Sequence, residues 1–237
     1  MLEYQPTNIQ NHLFQPDFKY KHKNPYHDRL EAFQDFVMRD NEAETHQGLW
    51  KQNIFQNTNP VVVEIGSGYG EFMIEYSQKH PEHNFVGIDY RFKRSYGLAQ
   101  KLSKIAVKNF RYLRAKGERL DFMFAENELD SIFYFFPDPW PKTRQHKKRL
   151  FQANFLNSCY RTLKSGGKIF MKTDHDGYFE WMCDVVEKEP RFKLTFLTTD
   201  LHAEFPNHFL ARFVTTFEKI FLQKQTKIKA FILEVQK

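Results

Sequence analysis

Two short segments of this 237-residue chain carry residue types that could do chemistry together. The first is Glu64-Ile65-Gly66-Ser67-Gly68-Tyr69-Gly70, an acid two positions ahead of alternating glycines. Glycines at that spacing let the backbone turn sharply and approach a ligand closely. The dinucleotide fingerprint G-x-G-x-x-G would need glycine at 71, where Glu71 stands instead. A glutamate near a pyrophosphate would be repelled, whereas Glu64 suits a cationic ligand part such as the amino group of S-adenosylmethionine. Asp89, closing the next apolar run, can accept hydrogen bonds from ribose hydroxyls. The second segment is Phe135-Phe136-Pro137-Asp138-Pro139-Trp140-Pro141-Lys142. Its prolines restrict the backbone and hold Asp138 and Trp140 in place at low entropic cost. Trp140 offers a stacking face, and the basic residues Lys142, Arg144, Lys147, Lys148 and Arg149 can bind phosphates.

Both segments need strand ends to present them, and the pattern from Asn59 onward supplies these. Apolar runs at 60–65, 84–89, 110–113, 129–136, 168–173, 193–198 and 228–235 read as strands. Helical patterns over about 71–79, 92–107, 150–163 and 177–188 lie between them. Within 150–163, Phe151, Phe155, Cys159 and Leu163 share one face, and Lys164-Ser165-Gly166-Gly167 ends the helix. Repeated βα units predict a doubly wound, mostly parallel α/β sheet, with ligands at the carboxyl ends of its strands. Residues 1–58 read as a partly helical N-terminal extension, with a short amphipathic helix over 30–38, and residues 59–237 as the catalytic domain.

The charge balance is +6, from 35 Lys+Arg and 29 Asp+Glu, but it is unevenly spread. Residues 91–119 hold ten Lys/Arg against the single acid Glu118, and residues 142–149 hold five with no acid. Clustering of this kind suits an anionic polymer. No apolar run reaches the roughly 20 residues that span a bilayer, and the N-terminus lacks a basic start followed by an apolar stretch. A cytoplasmic protein is expected, with no membrane partner. Cys159 and Cys183 are too few for a disulfide framework and read as reduced thiols. The ten histidines form no H-E-x-x-H motif, and Asp174-His175-Asp176 alone does not make a metal site, so no metal is expected.

From about Pro60 to its end the chain resembles the bacterial tRNA (guanine-N7)-methyltransferases. The resemblance rests on Glu64-x-Gly66-x-Gly68-x-Gly70, Phe136-Pro137-Asp138-Pro139-Trp140-x-Lys142, Thr173-Asp174, and Thr215-Thr216-Phe217-Glu218. It implies a Rossmann-like methyltransferase sheet with an antiparallel C-terminal strand, S-adenosylmethionine as cofactor and tRNA as partner. It further implies that Glu64, the glycines and Asp89 bind the cofactor, that Asp138 belongs to the active site, and that Lys142, Asp174 and Thr215 to Glu218 contact tRNA. Two positions depart from the family: Asp89 replaces the usual Glu, and Lys116 or Gly117 stands where an Asp or Asn lies beside the adenine. A lysine cannot accept the adenine amino group's hydrogen bonds, so backbone groups or Glu118 must substitute.

Guanine N7 has an in-plane lone pair and no proton, so transfer needs no general base. Asp138 is then expected to accept from the guanine N1/N2 edge and oppose the positive charge gained by the purine. The alternatives are a methyltransferase-like RNA-binding protein with weak or no turnover, or a methyltransferase on another substrate. The sequence does not choose between monomer and homodimer.

Overall fold

The computed structural model describes residues 11–20, 23–106 and 109–237. Its centre is an eight-stranded sheet in the order β1-β4-β3-β2-β5-β6-β8-β7. The strands are β1 (Val37–Arg39), β2 (Val61–Ile65), β3 (Asn84–Ile88), β4 (Phe110–Arg114), β5 (Leu129–Phe135), β6 (Leu163–Thr173), β7 (Phe192–Thr198) and β8 (Lys229–Val235). Pairings from β1 through β6 are parallel, while β8 runs antiparallel to both β6 and β7. Strands β2 and β3 are buried along their whole length, as continuous apolar runs covered on both faces must be.

The chain leaves β2 toward β3 and β4, then returns to the other side of β2 with β5. That reversal opens a crevice at the carboxyl ends of β2 and β5, where such folds bind ligands. On one face, helices α2 (Glu71–Lys79) and α3 (Phe92–Leu102) bury Phe72, Met73, Leu98 and Ala99 against the sheet. On the other, α5 (Ala153–Thr162) and α6 (Asp176–Glu187) bury Phe155, Cys159, Tyr178 and Met182. Phe151, Phe155, Cys159 and Leu163 are all fully buried as the i+4 spacing predicts, although Phe151 precedes α5 and Leu163 already belongs to β6.

Two expectations are corrected. The basic helix α3 ends at Leu102 rather than near 107; residues 107 and 108, and with them Lys108, lie outside the described residues. The helix expected over 30–38 is a 3-10 turn, Leu30–Phe33, that gives way to β1. The apolar spacing there does not distinguish a helix from a short strand, and parallel pairing of Val37–Arg39 with Tyr112–Arg114 decides it. The N-terminal segment thereby supplies an edge strand; its first ten residues, and residues 21 and 22, lie outside the described residues. Among the described residues no helix is long and apolar enough to cross a membrane, and both cysteines are free thiols.

Candidate active site

The loop between β2 and α2 is set by its glycines. Gly66 and Ser67 both donate their N–H groups to the Ile88 carbonyl, at 2.8 and 3.0 Å, which ties the loop to β3. Gly70 has φ +74, and a Cβ there would collide with Leu98 of α3. Gly66, at φ +84, has no atom within 4 Å of the place a Cβ would occupy. That empty space borders two adjoining cavities, of about 360 and 220 Å³, which share Gly66, Arg94, Phe135 and Phe136.

The larger cavity collects Gly66, Asp89, Lys116, Gly117 and Asp138. The smaller one collects Glu64, Gly66, Gly68, Thr215, Thr216 and Phe217. Asp89 is 7% exposed; its carboxylate accepts from the Gly68 N–H at 3.0 Å and the Arg91 N–H at 2.9 Å. Burial pushes its pKa above its ordinary value despite those two donors. Each oxygen retains a further lone pair for a ligand hydroxyl.

Glu64 is 5% exposed, and its Oε2 has no hydrogen-bond partner. Burial, only partly offset by Ser67, pushes its pKa up to about 8. A buried carboxyl oxygen without a donor, facing a cleft, is matched by a ligand ammonium group. Together with the open space at Gly66 and the Asp89 carboxylate, this set of acceptors fits the amino group and ribose of S-adenosylmethionine. The raised pKa has a definite sign: between the ordinary 4.5 and about 8 the folded protein holds a proton that the unfolded chain releases. Stability of the ligand-free protein therefore falls as pH rises through that window. Glu64→Gln should flatten this slope and raise the melting temperature near pH 8. Binding of the cationic ligand at pH 7 should release a proton, visible by calorimetry in buffers of different ionisation enthalpy, and Glu64→Gln should abolish the release.

Asp138 follows β5 and is 59% exposed at its side chain; Arg91 Nη2 reaches its Oδ2 at 3.2 Å across the mouth of the cavity. The flanking Phe136 and Trp140 have φ of +49 and +44. Left-handed conformations are unfavourable for bulky side chains, and such strain concentrates where a side chain must be aimed. Lys148 Nζ lies 4.5 Å from the Trp140 ring. Arg149, expected to bind phosphate, is 3% exposed, donates to the Pro139 carbonyl at 2.8 Å and packs on Tyr178 and Trp181. It braces the loop from beneath.

The remaining sequence candidates divide. Thr215 caps α9 (Thr216–Gln223) by accepting from the Glu218 N–H, and Phe217 is 51% exposed beside the smaller cavity. Glu218, expected to touch substrate, is fully buried instead, bonded to Lys172 Nζ at 2.6 Å and His202 Nε2 at 2.8 Å. Exposed Lys142 and half-buried Asp174 do not line either cavity. Lys116 lines the larger cavity with its Nζ 4.7 Å from the Tyr90 ring. A side chain at Gly117 would meet Ile65 at 2.7 Å and Leu150 at 2.9 Å, so a Cβ there would force a neighbour to shift where the turn packs under β2. Sequence reasoning did not place Arg91 and Arg94 in the cavity or find the anchor Lys172; a lysine inside an apolar strand was the available signal for the last.

Residues 58–231 match a family model described as "Putative methyltransferase". A bifunctional glycosyltransferase/methyltransferase of Fusobacterium nucleatum is 33% identical over 205 residues, 86% of this chain but 31% of that protein. A tRNA (guanine-N(7)-)-methyltransferase of Enterococcus faecalis is 37% identical over 185 residues, covering 78% of this chain and 84% of that one. Among solved structures, a 16S rRNA methyltransferase superposes with a TM-score of 0.60 at 14% identity, covering 80% of this chain and 94% of that chain, a likeness of fold alone.

Proposed function

Because this chain belongs to the methyltransferase family matched over residues 58–231, we propose that it transfers a methyl group from S-adenosylmethionine to N7 of a guanosine in tRNA. The observation that carries the reading is the convergence of Glu64, whose Oε2 has no partner, Asp89 and Asp138 on two joined cavities at the sheet's switch point. The Enterococcus relative, a tRNA (guanine-N(7)-)-methyltransferase by name, supports the substrate.

When bound, the cofactor supplies an electrophilic methyl group, which N7 takes with no proton to remove. Glu64 holds the ammonium end and Asp89 the ribose, fixing the donor against the glycine loop. Asp138 accepts from the guanine N1/N2 edge, orients N7 in line and opposes the developing purine cation. Arg91 must yield its contact with Asp138 as the base enters, while exposed Phe217 offers the entering base a stacking face.

Phosphates of the RNA fall to Lys142, Lys147 and Lys148, exposed on the turn after Trp140. Changing all three to Gln should lower the slope of log affinity against log salt by about 2–3. Fluorescence anisotropy with labelled tRNA at several salt concentrations measures it, and an unchanged slope removes this turn from the interface. The function itself is tested by methyl transfer from labelled S-adenosylmethionine to unmodified tRNA, followed by reduction and aniline cleavage, which cuts RNA at 7-methylguanosine. Label incorporation without cleavage would point to a different methylated atom.

A further inference from the structure

The N-terminal segment lies outside the family match, yet its groups hold Arg119 of the cavity turn Gly117–Arg119 and the residues Arg114 and Lys116 that lead into it. Arg119 is fully buried; its guanidinium makes a two-pronged contact with Glu44, at 2.8 and 2.6 Å, and donates to the carbonyls of Leu13 and Gln15. Tyr20 accepts a hydrogen bond from the Lys116 N–H at 2.9 Å. Asp40 pairs with buried Arg114, whose Nε donates to the Tyr90 carbonyl at 3.1 Å. From beneath, Ile65 and Leu150 close on Gly117.

A fully buried arginine left unpaired would cost several kcal/mol, so the fork on Glu44 fixes the turn firmly. The turn so clamped leaves one carboxylate at the cavity wall. Glu118 is part-buried and lines the cavity with Asp89 and Tyr90, and no hydrogen bond or ion pair among the described residues engages its carboxylate. Its charge is felt within the cavity: burial above all, then Asp138 and Glu118, pushes the Tyr90 phenol upward. With ribose at Asp89, the next groups outward along the sheet edge belong to this turn, and a purine 6-amino group presents two donors there.

We infer that the segment preceding the family match is part of the cofactor site: Tyr20 and Glu44 hold the turn Gly117–Arg119 so that Glu118 accepts from the purine 6-amino group. Glu118 is the binding group, and Tyr20 and Glu44 are positioning residues. The inference rests on the methyl-donor reading, and S-adenosylhomocysteine with its 6-deamino analogue separates the two.

The wild-type protein should bind S-adenosylhomocysteine about ten- to a hundredfold more tightly than the analogue, the range for a hydrogen bond to a charged group. Glu118→Ala should erase that preference by weakening the adenine ligand alone. Glu44→Gln should reduce the preference strongly, and the gentler Tyr20→Phe by about threefold, the loss of one hydrogen bond. A purely structural role for the segment would lower both affinities equally and leave their ratio intact, which overturns the positioning claim. Equal affinity of the wild type for both ligands overturns the Glu118 assignment while the methyl-donor reading stands. Failure of the wild type to bind either ligand overturns both.

Discussion

Asp138→Asn should bind S-adenosylmethionine and tRNA within a few-fold of the wild type and lose about a hundred- to a thousandfold in turnover. The substitution keeps the shape but removes the negative charge facing the purine and replaces one of the two acceptor oxygens with a donor. That charge matters most when the methylated ring becomes cationic, so the loss falls on kcat rather than on binding. The structure gives no reason for the variant to misfold. Asp138 is half-exposed and its ionic partner, Arg91, is also on the surface, a pairing that contributes little to stability. Single-turnover methyl transfer with saturating cofactor and tRNA measures the effect. Near-normal turnover would remove Asp138 from the reaction.

The second large effect is on stability and on the shape of the smaller cavity. Lys172 is fully buried and donates to Glu218 at 2.6 Å, to the Phe213 carbonyl at 2.7 Å and to the Leu210 carbonyl at 3.1 Å. Burial pulls its pKa downward, and the Glu218 carboxylate beside it opposes that pull. One ammonium thus pins β6 to the segment leading into α9, whose start carries Thr215, Thr216 and Phe217 beside the cleft. Lys172→Met leaves Glu218 buried with only His202 facing it, and removing one partner of a buried pair costs about 3–5 kcal/mol. For a chain of this size that is a fall of roughly 6–20 °C in melting temperature. Adding Glu218→Leu should restore much of the loss, because the stranded charge is gone. Thermal unfolding of the single and double variants checks this, and a double variant as unstable as the single one would refute the charge argument.

Much of this site was legible in the sequence because its signals are local. Glu64 and its glycines must sit at a strand-to-helix turn, since only glycine tolerates the conformation at Gly70 beside Leu98. Asp138 between prolines must end a strand, because proline cannot continue one. Burial was harder to read. Arg114, Arg119 and Arg149 count as basic residues like Arg91 and Lys148, yet all three are buried among aromatic rings and carbonyls. Whether an arginine meets solvent depends on packing partners distant in sequence, as Glu44 is from Arg119.

The sequence by itself determined a mostly parallel sheet with a glycine loop, two cavity acids and a rigid aspartate loop, because strand periodicity and proline and glycine geometry act over a few residues. It also showed two basic segments, at 91–119 and 142–149, without relating them in space. Tertiary structure decided that relation: Arg91 and Arg94 stand with Asp138, Trp140 and Lys148 around one cavity, while other members of the same segments turn inward. It also decided that the N-terminal segment closes on the turn carrying Glu118. Both outcomes depend on crossover connections and on contacts between residues far apart in the chain, which no local pattern encodes.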